Sequence, residues 1–206
     1  MSAPLTPQGF GRAMSALIAR DGDLAAIVSQ HGRPRFWRRA PGFPTLVLII
    51  LEQQVSLASA RAAYGRVLEH LGGRLDPARL LELSDEALRA AGFSRQKARY
   101  CRALAAAVEA GDLPLDELDG LPDDDARARL QAVVGIGRWT ADVYLLSALR
   151  RPDVWPVGDL ALVVALQRVK GLAERPTPAA MTRAGEDWRP WRSVAARLLW
   201  HEYLSR

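Results

Sequence analysis

The chain has 206 residues, enough for one or two compact domains with a sizeable core. Basic residues number 28 against 23 acidic ones, a formal charge of +5, and 26 of the 28 are arginine because lysine occurs only at Lys97 and Lys170. A 49% hydrophobic share with 25% charged residues excludes a mainly disordered chain, and the single cysteine, Cys101, excludes a disulfide framework, a cysteine-rich zinc site and a four-cysteine iron–sulfur cluster.

The N-terminus MSAPLTPQGF lacks the basic stretch and apolar run of a signal peptide, so a cytoplasmic location is expected. Apolar residues recur at three- and four-residue spacing almost throughout, the period of amphipathic helices. A first helix, with interruptions, is predicted from Pro7 to Val28 and closes near His31-Gly32-Arg33-Pro34. Residues 35–42 read as a basic, aromatic loop. Phe43-Pro44 opens a long helix to about Leu71, stopped by Gly72-Gly73. Ser84 caps a short helix ending at Gly92, and Ser94 starts another that runs to about Ala110. A helix from Leu121 to Val134 breaks at Gly135-Ile136-Gly137, and the next runs from Arg138 to Leu149. Pro152 and Pro156 stiffen the loop that follows. Asp159 then stands where an N-cap belongs, before a helix ending at Gly171. Helices near Pro178–Ala184 and Pro190–Leu204 finish an all-α fold of about ten helices.

The stretch from Leu130 to Asp142 is the most informative. Two glycines two apart, between helices, let the backbone turn tightly so that its N–H groups and the next helix N-terminus point outward together. That is an anion cradle in a basic neighbourhood, with Arg138, Arg150 and Arg151 close in sequence. The glycines alone fit a plain turn between two helices equally well. No His, Cys or carboxylate cluster has metal-ligand spacing, which argues against a metal-dependent nuclease.

Several ordered motifs together are more specific. Gly135-Ile-Gly-Arg-Trp-Thr-Ala141, Asp159 twenty residues past Trp139, Trp188-Arg-Pro-Trp-Arg-Ser193 followed by Trp200, and the run from Phe43-Pro44 to Glu52-Gln-Gln-Val-Ser56 stand in order. In these the chain resembles the helix–hairpin–helix DNA glycosylase superfamily, and within it the DNA-3-methyladenine glycosylase II branch. The resemblance covers roughly residues 43 to 204 and leaves the first forty unassigned. It implies two helical lobes with the active site in the cleft between them. The expected division is 1–42 as an N-terminal segment packing on the C-terminal lobe, 43–120 as one lobe, and 121–206 as the hairpin lobe.

The resemblance makes Asp159 the catalytic carboxylate, and the chemistry agrees. Breaking an N-glycosidic bond develops positive charge on the sugar, which an anion beneath the ring stabilises. Local sequence alone reads the same residue as a simple capping aspartate. Relatives that also cut the DNA backbone carry a lysine where this chain has Trp139, so the expected enzyme is monofunctional and leaves an abasic site. Base flipping requires a pocket, for which Trp139 and Trp200 match aromatic positions of the family and Trp37 is a further candidate. Trp188 and Trp191 read as core. Where better-known members carry a second acid and two tyrosines, this chain has Gly158, Leu160 and Val143, which implies a less aromatic pocket.

The family's minor-groove wedge falls at Gln53-Gln54, with Gln54 favoured as the plug and Gln53 as the fallback. The expected phosphate contacts are Gly135, Gly137, Arg138, Thr140 and Arg192. The backbone carbonyls of Gln131, Val133 and Ile136 match positions where relatives hold a structural Na+ or K+; no catalytic cofactor is expected. The resulting expectation is a monomeric enzyme that removes alkylated purines, of the 3-methyladenine and 7-methylguanine type, from damaged double-stranded DNA. The alternatives are a non-catalytic DNA-binding module and a glycosylase for an oxidised or deaminated base.

Overall fold

The computed structural model describes residues 3–37 and 39–205. Among them are twelve α-helices and no strand: α1 Pro7–Arg20, α2 Gly22–His31, α3 Phe43–Glu52, α4 Leu57–His70, α5 Pro77–Glu82, α6 Asp85–Ala90, α7 Arg95–Glu109, α8 Asp123–Gln131, α9 Arg138–Ser147, α10 Leu160–Val169, α11 Pro178–Glu186 and α12 Arg192–Leu204. A short 3₁₀ turn, Leu118–Gly120, precedes α8.

Side-chain capping explains most of the starts. Thr6, Asp21, Ser56, Asp76, Ser84, Ser94, Asp159 and Thr177 each accept a backbone N–H from the first turn of the helix they open. Two of these caps correct the expected elements. Asp21 Oδ1 accepts from Asp23 and Leu24 at 3.0 and 3.1 Å, which divides the first predicted helix into α1 and α2. The long helix expected from Phe43 to Leu71 is also two. Gln54 takes a left-handed backbone with φ 57°, and Ser56 caps a new start, so the chain turns between Gln53 and Ser56. Helix α8 begins only at Asp123, after Pro122, rather than at Leu121. Helix α5, not anticipated, follows the Asp76 cap with Pro77 at its first position.

The chain divides into two compact units, Met1–Arg38 with Leu145–Arg206, and Arg39–Tyr144. This differs from the expected boundary at residue 120, because α8 and the first part of α9 belong with α3–α7. In the unit formed by Arg39–Tyr144, α7 packs against α3, α5 and α6, and α3 against α4. Seven of the ten α3 residues are buried, so this helix lies inside its unit. Cys101 is also interior, and burial pushes its thiol up to about 12.

The other unit joins both ends of the chain. Helices α1 and α2 pack on each other and on α12, which also packs on α10. Phe10, Met14, Leu17, Leu24 and Ile27 share one core with Leu162, Leu166, Leu198 and Leu199. Trp188 is buried there as expected, its Nε1 donating to Asp21 Oδ2 at 2.8 Å, while Trp191 is half-buried.

Candidate active site

Asp159 is 7% exposed at the start of α10. Its Oδ1 accepts the Leu162 N–H at 2.9 Å and the Trp200 Nε1–H at 3.0 Å. The first bond is the helix cap. The second comes from α12, forty-one residues away, and fixes the carboxylate between two elements. One carboxylate oxygen therefore both caps α10 and ties it to α12. Trp200, half-buried, is brought directly to the aspartate. Leu160, the next residue, leaves an apolar side chain 60% exposed, whereas Val143 is buried. Trp37 stands in an edge-to-face cluster with Phe10 and Phe36, ring centroids 5.3 and 5.5 Å away.

The hairpin and the turn at Gln53 form a second constellation, within the Arg39–Tyr144 unit. Gly135 has φ 96°, and a Cβ placed there would meet the Tyr100 ring at 2.1 Å, so only glycine fits. Gly137 is exposed with nothing near its missing side chain, and Arg138 opens α9 exposed to solvent. The start of a helix is a place where backbone N–H groups suit an anion. Thr140 differs from the expectation of a phosphate contact. It is 1% exposed, and its Oγ1 accepts from Gln53 Nε2 at 3.0 Å. The same nitrogen donates to the Gly135 carbonyl at 3.0 Å. Gln53 thus fastens the turn to the hairpin, and Gln54 is left exposed at its tip.

Sequence reasoning missed the supports of this turn. Lys97 Nζ donates to the Leu51 carbonyl at 2.6 Å, and burial lowers the lysine's pKa. Arg39 Nη2 bonds both oxygens of Glu52, at 2.7 and 2.9 Å, and Glu52 is only 7% exposed. An acid inside an apolar run was the available signal, since a buried carboxylate requires a cation. Across the hairpin, buried Asp142 of α9 accepts from Arg127 Nε of α8 at 2.6 Å and lies 3.6 Å from Arg138 Nε. Burial opposes the Arg127 charge, but the bonds to Asp142 and Asp124 outweigh it and raise its pKa. Tyr144 is buried and its hydroxyl accepts the Gly42 N–H at 2.8 Å.

Arg192 also departs from its expected role. Its guanidinium bonds Asp153 through Nε at 2.9 Å and Nη2 at 3.1 Å, with a further bond to the Asp153 carbonyl at 2.7 Å. Those bonds occupy the donors that a phosphate would take, and the side chain is 17% exposed.

The carbonyls of Gln131, Val133 and Ile136 lie at and after the end of α8. Val133 accepts the Ile136 N–H at 3.1 Å, and a carbonyl oxygen has a second lone pair. Three neutral oxygen donors suit a hard cation and not a transition metal. Among the described residues no group of three or more His, Cys, Asp or Glu could hold a metal ion.

The sequence profile of the HhH-GPD superfamily base excision DNA repair proteins matches residues 47–190. DNA-3-methyladenine glycosylase 2 of Escherichia coli is 35% identical over 186 residues, covering 82% of this chain and 62% of the relative. A Bacillus subtilis relative is 29% identical over 184 residues, covering 86% of this chain and 64% of its own length. This chain therefore spans less than two thirds of either relative. Among solved structures, the Schizosaccharomyces pombe 3-methyladenine DNA glycosylase Mag1 in complex with abasic DNA matches with a TM-score of 0.87 and 28% identity, over 92% of this chain and 95% of that one. With its hairpin glycines and the capping aspartate inside the matched region, the chain belongs to the HhH-GPD superfamily of base excision DNA repair proteins.

Proposed function

We propose that the protein is a monofunctional DNA glycosylase that releases alkylated purines, of the 3-methyladenine and 7-methylguanine type, from double-stranded DNA and leaves an abasic site. The observation that carries this reading is Asp159, a nearly buried carboxylate held at one oxygen by the α10 backbone and by Trp200. The relatives' names point to the same substrate class.

In this mechanism the hairpin donors of Gly137 and the α9 start hold a backbone phosphate, and Arg138 adds charge. Gln54 fills the gap left when the damaged nucleotide leaves the stack. Trp200, which is bonded to Asp159, stacks on a base that carries positive charge, an attraction of about 0.5–2 kcal/mol. As the bond from C1′ to the base nitrogen breaks, its electron pair leaves with the base and neutralises it. The Asp159 carboxylate stabilises the cationic sugar. Water then adds to C1′ and loses one proton, which yields an abasic sugar and a free neutral base. Trp139 stands at the position where lyase relatives carry lysine, so no Schiff base forms. The protein acts as a monomer in the cytosol; none of its described helices is long and apolar enough to cross a membrane. The carbonyls of Gln131, Val133 and Ile136 would hold a Na+ or K+, which would add positive charge at the hairpin.

Incubation with methylated duplex DNA and chromatography of the released bases tests the proposal. Wild type is expected to release free base, and Asp159→Asn to lose activity by about 10²-fold or more. Asparagine still caps a helix, so that variant retains its fold. Undiminished release by Asp159→Asn sinks the role given to this residue. Wild type silent on methylated DNA but active on oxidised or deaminated bases sinks the substrate class.

A further inference from the structure

Helix α7 carries Arg95, Arg99 and Arg102 at positions i, i+4 and i+7, which share one helix face. With Arg89 of α6, and around Phe93 and Asp85, they line a cavity of about 330 Å³. One of the four is already matched: Arg102 Nη2 donates to Asp85 Oδ1 at 3.0 Å and to the Leu83 carbonyl. Arg89, Arg95 and Arg99 are exposed and enter no ion pair among the described residues. Like charges at i and i+4 slightly destabilise a helix, a cost that an anion in the concavity removes for the pair Arg95 and Arg99. An arginine-rich composition supplies arginines everywhere; it does not gather them around one cavity that holds a single acid, itself already paired.

The same helix also touches the hairpin. Gln96 and Tyr100, adjacent in sequence to Arg95 and Arg99, are hydrogen-bonded to each other at 2.6 Å, and the Tyr100 ring lies against Gly135. Arginine recognises phosphate with paired, charge-assisted hydrogen bonds. We infer that the cavity between α6 and α7 is a phosphate-binding site, and that it takes a phosphodiester of the same duplex whose backbone the hairpin holds. The identity of the phosphate's source rests on the DNA glycosylase reading above; the anion site itself stands on the arginines.

The test measures binding of a short undamaged duplex across a KCl series. Each phosphate contact contributes about 0.9 to the slope of log K against log salt. Arg95→Ala/Arg99→Ala is expected to reduce that slope by about 1–2. Arg95→Lys/Arg99→Lys keeps the charge and is expected to keep the slope. The control pair Arg175→Ala/Arg183→Ala removes the same charge from exposed positions elsewhere and is expected to leave the slope at the wild-type value. An unchanged slope in the Arg95/Arg99 pair, or an equal fall in both alanine pairs, overturns the site as a DNA contact. A parallel arm measures melting temperature with and without inorganic phosphate. Stabilisation of wild type but not of Arg95→Ala/Arg99→Ala, with the DNA slope unchanged, assigns the cavity to free phosphate and overturns the DNA source. Base release by wild type is assayed separately: a reduced slope without any release upholds the cavity and rejects the glycosylase reading, and release with an unchanged slope does the reverse.

Discussion

Gln54 holds a left-handed backbone at φ 57° at the exposed tip of the turn between α3 and α4. For a residue with a side chain this conformation costs about 1 kcal/mol or more. The neighbours impose it: Lys97 grips the Leu51 carbonyl, Arg39 holds Glu52, and Gln53 is bonded to the hairpin. Gln54→Gly is therefore expected to raise the melting temperature while lowering base release about 10-fold, since the plug is gone. Gln54→Ala should lose activity similarly without the gain in stability; calorimetry and the base-release assay together check both. A Gln54→Gly protein that releases base at the wild-type rate removes this residue from the flipping step. The unusual glutamine pair was visible in sequence as polarity in an apolar run. Which of the two was tied down was not, because the partner of Gln53 lies 82 residues away across the fold. Thr140 and Arg192 were misread for a related reason: their residue types suit phosphate, and only their surroundings reveal that other groups already take their donors or acceptors.

Capping residues made elements legible where a helix start followed a polar residue and a clear stop, as at Ser84, Ser94 and Asp159. They failed where the apolar pattern ran straight through a break, at Asp21 and at Ser56. Asp21 shows how much one such joint carries. Its Oδ1 caps α2, and its Oδ2 accepts from Trp188 Nε1 and pairs with Lys170. Burial opposes its charge, but the bonds from Trp188 and Leu24 and the field of Lys170 outweigh it, so its pKa falls below 3.8. A carboxyl depressed on folding stabilises the native state above its unfolded pKa and loses that contribution as pH falls through the folded value. Asp21→Ala is expected to cost about 1–3 kcal/mol at neutral pH, from the lost cap and the stranded Trp188 donor. Asp21→Asn keeps the cap and should flatten the decline of stability below about pH 4, because its side chain does not titrate. Urea unfolding across pH measures both; identical acid profiles for Asp21→Asn and wild type would falsify the linkage.

At the scale of the molecule, α1 and α2, which lie in the stretch the resemblance left unassigned, contribute their buried faces to a core. Phe10, Met14, Leu17, Leu24 and Ile27, each at most 4% exposed, close the apolar interior that α10 and α12 share. Removing residues 1–31 exposes that interior, and a fully buried side chain of this kind contributes about 1.5–3 kcal/mol. The truncated protein is expected to be unfolded or insoluble, by circular dichroism and sedimentation, rather than a smaller working enzyme. Packing of this segment on the C-terminal lobe was expected, but which of its residues enter the core was not legible in the sequence, since contacts between distant helices are formed only by the fold. The pairing of chain ends also sets a timetable during synthesis. Helices α1 and α2 leave the ribosome before their partner, since α12 begins 161 residues after the end of α2. At translation speeds of about 5–20 residues per second, that is a wait of about 8–30 s. The Arg39–Tyr144 unit, continuous in the chain, is complete within that interval. The newborn N-terminal helices spend it with their apolar faces uncovered, and the nascent chain is most open to chaperone capture or misassociation in those seconds.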